Sequence, residues 1–454
     1  MTSSPTQIID QTLPTPDSLA ASLGRLLEQA TQSGATSAAA TMSISVGLTV
    51  TVRGGDVEAV EFHRDRDLSL TAYWGQRTGS ASSADWSEES LAEVVDRALA
   101  ISQHTGEDPY AGLPDPARQA TDFPDLDLHH PWALSVADAI EMALACEAAG
   151  LRADPRIHQS EGATVSTHAG LTLLANTQGF VGHQLGTSHS LSCSVLARDG
   201  DDMQRDYWYS SSRRHEDLEA AESVGQRAGE RAAARLGARS IKTQTMPVLY
   251  VPELARGLIG HFLGAISGGN LYRRASFLLD AEGQPIFAPG VRITQQPFLS
   301  RAAGSRSFDA EGVAMNDRTL VDADGVLQGY LLGSYSARRL GRETTGNAGG
   351  PANVVVEPGE LDFDGLLAEM GDGLLVTELM GQGLNMVTGD YSRGASGFMV
   401  RDGAICEPVD EITIAANLAD VFKQIRAVGR DVDIRGNCRC GSLLIDGMTV
   451  AGQG

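Results

Sequence analysis

Three groups of side chains in this sequence have types and spacings that could do chemistry: the pair Cys438-Arg439-Cys440, the lone His261 near Leu258 and Phe262, and the run holding Asp125, Asp127, His129 and His130. Two thiols one residue apart share a face only on a regular strand, and even then they leave a zinc ion short of ligands. The plainer reading is two ordinary strand thiols, and a thiol nucleophile is the sharper one. His261 falls in a predicted helix, as a core or interface imidazole or as the base for a Ser or Cys that nothing in the sequence positions. The Asp/His run offers oxygen and nitrogen donors to an ion, but from a proline-stiffened loop with its histidines adjacent.

A fourth candidate is made of backbone. From Leu379 to Phe398, five glycines punctuate two polar clusters between strand-like segments. Glycine at this density permits φ > 0 and lets another chain approach the main-chain N–H and C=O groups. Such a run suits either an extended-peptide site or a pair of tight turns between strands.

Absences narrow the function. There is no GxSxG elbow, no GxGxxG after a strand and no HExxH, and His261 is the only histidine beyond residue 215. Lys242 and Lys423 are the only lysines, so a phosphate loop lacks its cation. With 58 acidic residues against 35 basic ones the net charge is −23, which disfavours nucleic acid and anionic membranes as partners. Five cysteines in 454 residues fit a reducing cytoplasm better than a disulfide framework. Met-Thr-Ser-Ser-Pro-Thr-Gln at the start shows no basic region leading into an apolar one, so no signal peptide is expected, and no apolar run is long enough to span a bilayer.

The elements that must position these groups read as α+β. Residues 1–16 are expected to be a loose tail, 17–240 an N-terminal α+β domain, and 241–454 a C-terminal domain dominated by antiparallel sheet. Leu19, Leu23, Leu26 and Leu27 recur at helical spacing behind a cap at Asp17 or Ser18. Alternation from Met42 to Val52, the turn Gly54-Gly55 and a return through Val57, Val60 and Phe62 predict a hairpin. The charged run His63 to Asp67 follows, read as an exposed strand face or a turn, and then a strand through Leu68, Leu70 and Tyr73. Helices are predicted from about Ser87 to Gln103, from Ser135 to about Arg152 and from Glu216 to about Ala238. A long loop runs from Gly106 to Pro131, and the helix, hairpin and strand pattern then repeats, as an internal duplication would. In the second half Pro252 opens a helix. Asp324-Gly325, Asp402-Gly403 and Asp446-Gly447 read as hairpin turns, and helices are predicted near Asp362 to Met370 and Asn417 to Ala427.

Five motifs together carry a resemblance. They are Gly304-Ser305-Arg306-Ser307-Phe308-Asp309-Ala310-Glu311-Gly312-Val313, Thr344-Thr345-Gly346-Asn347-Ala348-Gly349-Gly350, Val376-Thr377-Glu378-Leu379-Met380-Gly381-Gln382-Gly383, Thr388-Gly389-Asp390-Tyr391-Ser392-Arg393-Gly394 and Glu411-Ile412-Thr413-Ile414-Ala415. With Asp108-Pro109-Tyr110-Ala111-Gly112-Leu113 ahead of them, they strongly resemble the TldE, or PmbA, branch of the TldD/TldE proteins nearly end to end. The resemblance implies a cytoplasmic heterodimeric metallopeptidase that degrades unfolded peptides and processes certain peptide precursors. In that family TldD holds zinc on a helical HExxxH and a C-terminal cysteine, its glutamate acting as general base. Here the matching helix reads Gly260-His261-Phe262-Leu263-Gly264-Ala265, so both ligand histidines and the base are replaced, and Cys438 falls near the place of the cysteine.

The resemblance therefore implies no catalytic residue, metal or cofactor in this chain, with zinc expected in a TldD-like partner. Unfolded or extended peptide is the expected substrate, and a homodimer is the expected alternative state when the chain is alone. Gly346, Asn347, Gly349, Gly383, Asp390, Tyr391 and Arg393 are the candidates for facing peptide or partner, with turn stabilisation as the competing role. Two rival functions stand beside this one: a non-catalytic scaffold that binds extended peptides by adding them to a sheet edge, and a hydrolase using Cys438 or Cys440.

Overall fold

The computed structural model describes residues 12–453. Its first half comprises α1 (Pro16–Gln32), β1 (Ser37–Arg53), β2 (Asp56–Trp74), β3 (Arg77–Ser83) and α2 (Glu88–His104), then α3 (Val136–Arg152), β4 (Ile157–Asn176), β5 (Val181–Asp199), β6 (Asp202–Ser212) and α4 (Ala221–Ala234). Helix, three strands and helix thus occur twice. The antiparallel sheet order β3-β2-β1-β4-β5-β6 sets the two copies side by side across the β1–β4 pair. Even-numbered residues of β1 from Ala38 to Val52 point to the helices. Those up to Val46 pack against α1 and α2, and Leu48, Val50 and Val52 pack against α3 and α4.

Local chemistry moves several boundaries from where the sequence pattern put them. The N-terminal tail ends earlier than residue 16, because Thr15 Oγ1 accepts a hydrogen bond from Ser18 N (3.3 Å) and Pro16 occupies the first turn of α1. Leu13 already packs on the core, while residues 1–11 lie outside the described residues. The run His63 to Asp67 is the exposed strand face of the two readings and not the turn, since it is part of β2, paired residue for residue with β1. The helix expected from Glu216 starts only at Ala221. Glu219 N donates to Ser210 Oγ (3.0 Å) and its carboxylate accepts from Trp208 Nε1 (3.2 Å), which ties the chain to β6 instead.

The second half contains β7 (Lys242–Tyr250), α5 (Pro252–Ala265), α6 (Gly268–Tyr272), β8 (Ile293–Gln295), β9 (Arg318–Val321), α7 (Ser334–Arg339), β10 (Val354–Val356) and α8 (Phe363–Met370). After these come β11 (Gly373–Met380), β12 (Asp390–Arg401), β13 (Ala404–Asn417), α9 (Leu418–Lys423), β14 (Ile425–Val428), β15 (Cys438–Arg439) and β16 (Leu443–Gln453). One sheet has the order β13-β12-β11-β7-β16-β14, and β13 also pairs with β16, so five strands close on themselves. A small sheet, β15-β10-β8-β9, stands beside it. The fold is mixed α+β with mostly antiparallel strands; among the described strands β7–β11 and β10–β15 are the pairs that run parallel. Two turn and helix predictions fail here. Asp446-Gly447 sits in an irregularity of the β16–β7 pairing, not in a hairpin, and the helix after Asn417 stops at Lys423 because Ile425 to Val428 are taken up by β16.

The long loop from Gly106 to Pro131 leaves the first half and is fastened to the second. Asp108 accepts from the Tyr335 hydroxyl (2.8 Å), and Arg338 Nη1 donates to the carbonyls of Tyr110 and Gly112 (3.0 Å each). Ala120 N donates to Gly312 O, and Ala314 N to Arg118 O (2.9 Å each). Tyr335 and Glu311 both border the cavity described next, so this loop sets one of its walls.

Candidate functional site

α5 is amphipathic in an unusual way. Ala255, Leu258, Ile259, Phe262 and Ala265 are buried in the core, whereas Gly257, Gly260 and Gly264 form the floor of a cavity of about 790 Å³. Glycine in an exposed helix interior costs about 1 kcal/mol relative to alanine. Packing does not demand it here, since a Cβ built on Gly257 or Gly260 meets nothing within 4 Å. These glycines lower the floor of the cleft at some expense to the helix.

The facing wall is the loop at 347–351. Just before it, Gly346 has φ +68°, and a Cβ there would lie 2.5 Å from Ala314 O, so only glycine fits. Asn347 borders the cavity, but its amide is turned inward. Nδ2 donates to Gln295 Oε1 (2.7 Å), while Oδ1 accepts from Thr345 Oγ1 (2.8 Å) and Arg318 Nη1 (3.1 Å). Behind it the buried Asp309 carboxylate accepts from the N–H groups of Ala348 (2.8 Å), Glu311 (2.9 Å) and Val313 (3.0 Å). Burial pushes Asp309 up to about 6 against the pull of these donors. The loop thus shows backbone to the cleft and keeps its polar side chains for its own support.

A third wall is Gly436, Asn437 and Cys438. At one end Arg256 pairs with Asp433 (3.3 Å) and donates to the Tyr209 hydroxyl (3.1 Å), joining α5 to β6.

The glycine-rich run lies elsewhere. It is the β11–β12 hairpin, whose loop reaches the flank of α5: Met386 Cε comes within 3.0 Å of a Cβ built on Gly264, and Phe277 N donates to Met386 O. A Cβ on Gly383 would lie 1.5 Å from Ser392 O, so this glycine admits the neighbouring strand. Asp390 is exposed and held low by Thr388 Oγ1 (2.7 Å) and Asn417 Nδ2 (3.2 Å). Tyr391 is buried with its ring 5.9 Å from that of His261, and among the described residues its hydroxyl has no hydrogen-bond partner. Burial and then Arg393 lower the pKa of His261, so the imidazole is neutral near pH 7.

The candidates named from sequence therefore separate. Gly260, Asn347 and Gly349 border one cavity together with Cys438, whereas Gly346 precedes that wall in the chain without lining it. Gly383, Asp390, Tyr391, Arg393 and His261 lie on the hairpin side of α5, and Ala265 is in the core.

Comparison with known proteins bears on this arrangement. Three family models described as PmbA/TldA metallopeptidase domain 1, central domain and C-terminal domain match residues 40–102, 129–236 and 243–452. Metalloprotease PmbA of Escherichia coli O157:H7 is 45% identical, covering 91% of each chain. The chain belongs to the PmbA/TldD metallopeptidase family. Its likeness to the PmbA branch is the stronger, since a TldD homologue of Haemophilus influenzae is 24% identical over 82% of this chain and 81% of that one. Among solved structures, a proposed modulator of DNA gyrase from Bacteroides thetaiotaomicron has a TM-score of 0.92 at 28% identity, covering 96% and 99% of the two chains. TldE from Thermococcus kodakarensis shares the fold, with a TM-score of 0.82 at 18% identity over 95% and 100%.

In a metallopeptidase family the donor set of the cleft becomes the test. Zinc needs three or four N, S or O donors within about 2.0–2.3 Å. Among the described residues of this PmbA-branch chain, no group of three or more His, Cys, Asp and Glu side chains is gathered for an ion, and the donors bordering the cleft do not make a zinc site. Burial pushes the Cys438 thiol up to about 12, with Arg256 opposing and Asp433 adding, and burial also holds the Cys440 thiol well above the usual range. A thiol nucleophile needs the opposite shift, which removes the support for a cysteine hydrolase. Among the described residues the Asp/His run gathers no group of three donors either, and the Asp127 carboxylate is held by His130 (3.1 Å) and the cation Arg301 (3.4 Å). Glu253, Arg256 and Tyr335 border the cleft without any motif to announce them; Glu311 was visible only within a family motif.

Proposed function

We propose that this chain is the non-ligating subunit of a two-chain zinc peptidase acting in the cytoplasm. Its cleft admits an extended peptide, and a TldD-like companion supplies the metal and the general base. Unfolded peptides or peptide precursors are the substrate class. The observation that carries the reading is the floor of the cleft: on α5, where the family's metal helix is expected, the cleft-facing Gly257, Gly260 and Gly264 offer no side-chain donor, and Gly257 and Gly260 leave open space. Backbone-lined walls suit a substrate recognised by its main chain, with little demand on sequence.

The test is metal content and peptide hydrolysis, measured on the purified chain and on its mixture with a TldD-like chain. The expected result is substoichiometric zinc and no hydrolysis of an unfolded protein by the chain alone, with chelator-sensitive hydrolysis on mixing. Robust hydrolysis by the isolated chain, abolished by chelation, would sink the proposal. Peptide binding with no hydrolysis by either preparation would favour the scaffold reading.

A further inference from the structure

A second polar cavity, of about 580 Å³, lies where β5 and β6 meet the C-terminal half. Arg213, Arg301, Arg435 and Arg439 border it together with several serine hydroxyls, and Asp217 and Glu219 are its only acids. In a chain of net charge −23 this is a local reversal of sign. The four cations are not equally satisfied. Arg435 pairs with Asp433 (2.9 Å) and Glu253 (3.3 Å), and Arg301 with Asp127 (3.4 Å) and Asp217 (3.6 Å). Arg213 donates only to carbonyls, those of Thr187 (2.8 Å) and Ala303 (2.7 Å). Arg439 is the extreme case: among the described residues its guanidinium has no ion pair and no hydrogen bond, and its Nε is closed off from solvent.

A half-buried guanidinium whose Nε–H meets no acceptor carries a desolvation cost, and the fork of donors matches a carboxylate or phosphate. We propose that this cavity is an oxyanion site, with Arg439 as its main ligand and Arg213 contributing charge from the wall. Among the described residues neither arginine has an ion pair, burial lowers the pKa of both, and a guanidinium nonetheless stays protonated. The occupant has two sources, a carboxylate of a bound peptide or a free inorganic anion. The site does not depend on the peptide reading above; only the peptide source does.

The assay is thermal unfolding and fluorescence anisotropy of the full chain, at constant ionic strength. The probes are inorganic phosphate and one labelled peptide made both as free acid and as C-terminal amide. The wild type is expected to gain thermal midpoint with phosphate, or to bind the free acid about tenfold tighter than the amide. Arg439→Gln should abolish that response, and Arg439→Lys should keep part of it. Because Arg439 makes no bond to lose, Arg439→Gln without anion should unfold at or above the wild-type temperature. A response to the free acid alone assigns the site to peptide, and a response to phosphate alone assigns it to a free anion. No response to either probe, or an undiminished response in Arg439→Gln, overturns the proposal.

Discussion

Filling the floor of the cleft separates its structural role from its functional one. Gly257 and Gly260 are exposed, lie in the interior of α5, and have nothing within 4 Å of an added Cβ. Each Gly→Ala change should therefore stabilise the helix by about 1 kcal/mol, partly by restricting the unfolded chain. The double change should give up to about 2 kcal/mol, less any coupling between neighbours on one face. Gly260→Leu keeps most of the propensity gain and projects its side chain into the cavity. Stability is read by urea unfolding. Function is read as KM and kcat for an unfolded peptide with the companion chain present. The expected pattern is stability at or above wild type for all four variants, with KM raised at least tenfold in Gly260→Leu. An unchanged KM in Gly260→Leu would refute the cleft as the peptide's path. Loss of stability in Gly260→Ala would refute the open-space argument on which it rests.

Asp309 predicts a pH dependence. Its folded pKa, raised to about 6, means the folded state binds the proton more tightly, so this group's contribution is present at low pH and is lost as pH rises from about 4 through 6. The difference of about 2 units corresponds to at most about 3 kcal/mol. Asp309→Asn should flatten stability against pH over that window, and an unaltered profile would contradict the assignment. Arg338→Ala removes the donors to Tyr110 O, Gly112 O and Leu113 O, and should cost about 3 kcal/mol and expose the loop from Gly106 to Pro131 to limited proteolysis. In native protein at pH 7.5, iodoacetamide should label the exposed Cys406 and spare Cys438 and Cys440, as peptide mapping would show. Thr15→Ala should cost about 1 kcal/mol in thermal unfolding through loss of the α1 cap.

Periodicity made the first half legible. The alternation of β1 and the heptad-like leucines of α1 are local signals, and each face they predict is the face that is buried. The repeat of helix, three strands and helix could be seen in outline for the same reason. What failed was set by tertiary partners: Glu219 held on β6 delays α4, and β16 claims Ile425 to Val428 from a predicted helix. The cleft was less legible still. Its walls come from α5, the loop at 347–351 and the segment at 436–438, which are distant in sequence and are brought together by such ties as the β10–β15 pair, the Asp309 bonds and the Arg256–Asp433 pair.

The glycine-rich run shows why composition misleads about position. Gly260 and Gly383 look alike in sequence, yet Gly260 has empty space where a Cβ would go and Gly383 has a carbonyl oxygen. The first is a glycine the fold does not require, and the second is one it cannot do without. Substitution at Gly383 should destabilise whatever the function, whereas substitution at Gly260 should harm only what passes through the cleft. α5 therefore divides the candidates by its two sides: the hairpin with Tyr391 and His261 braces the helix, and the glycine face is where a peptide has room to lie.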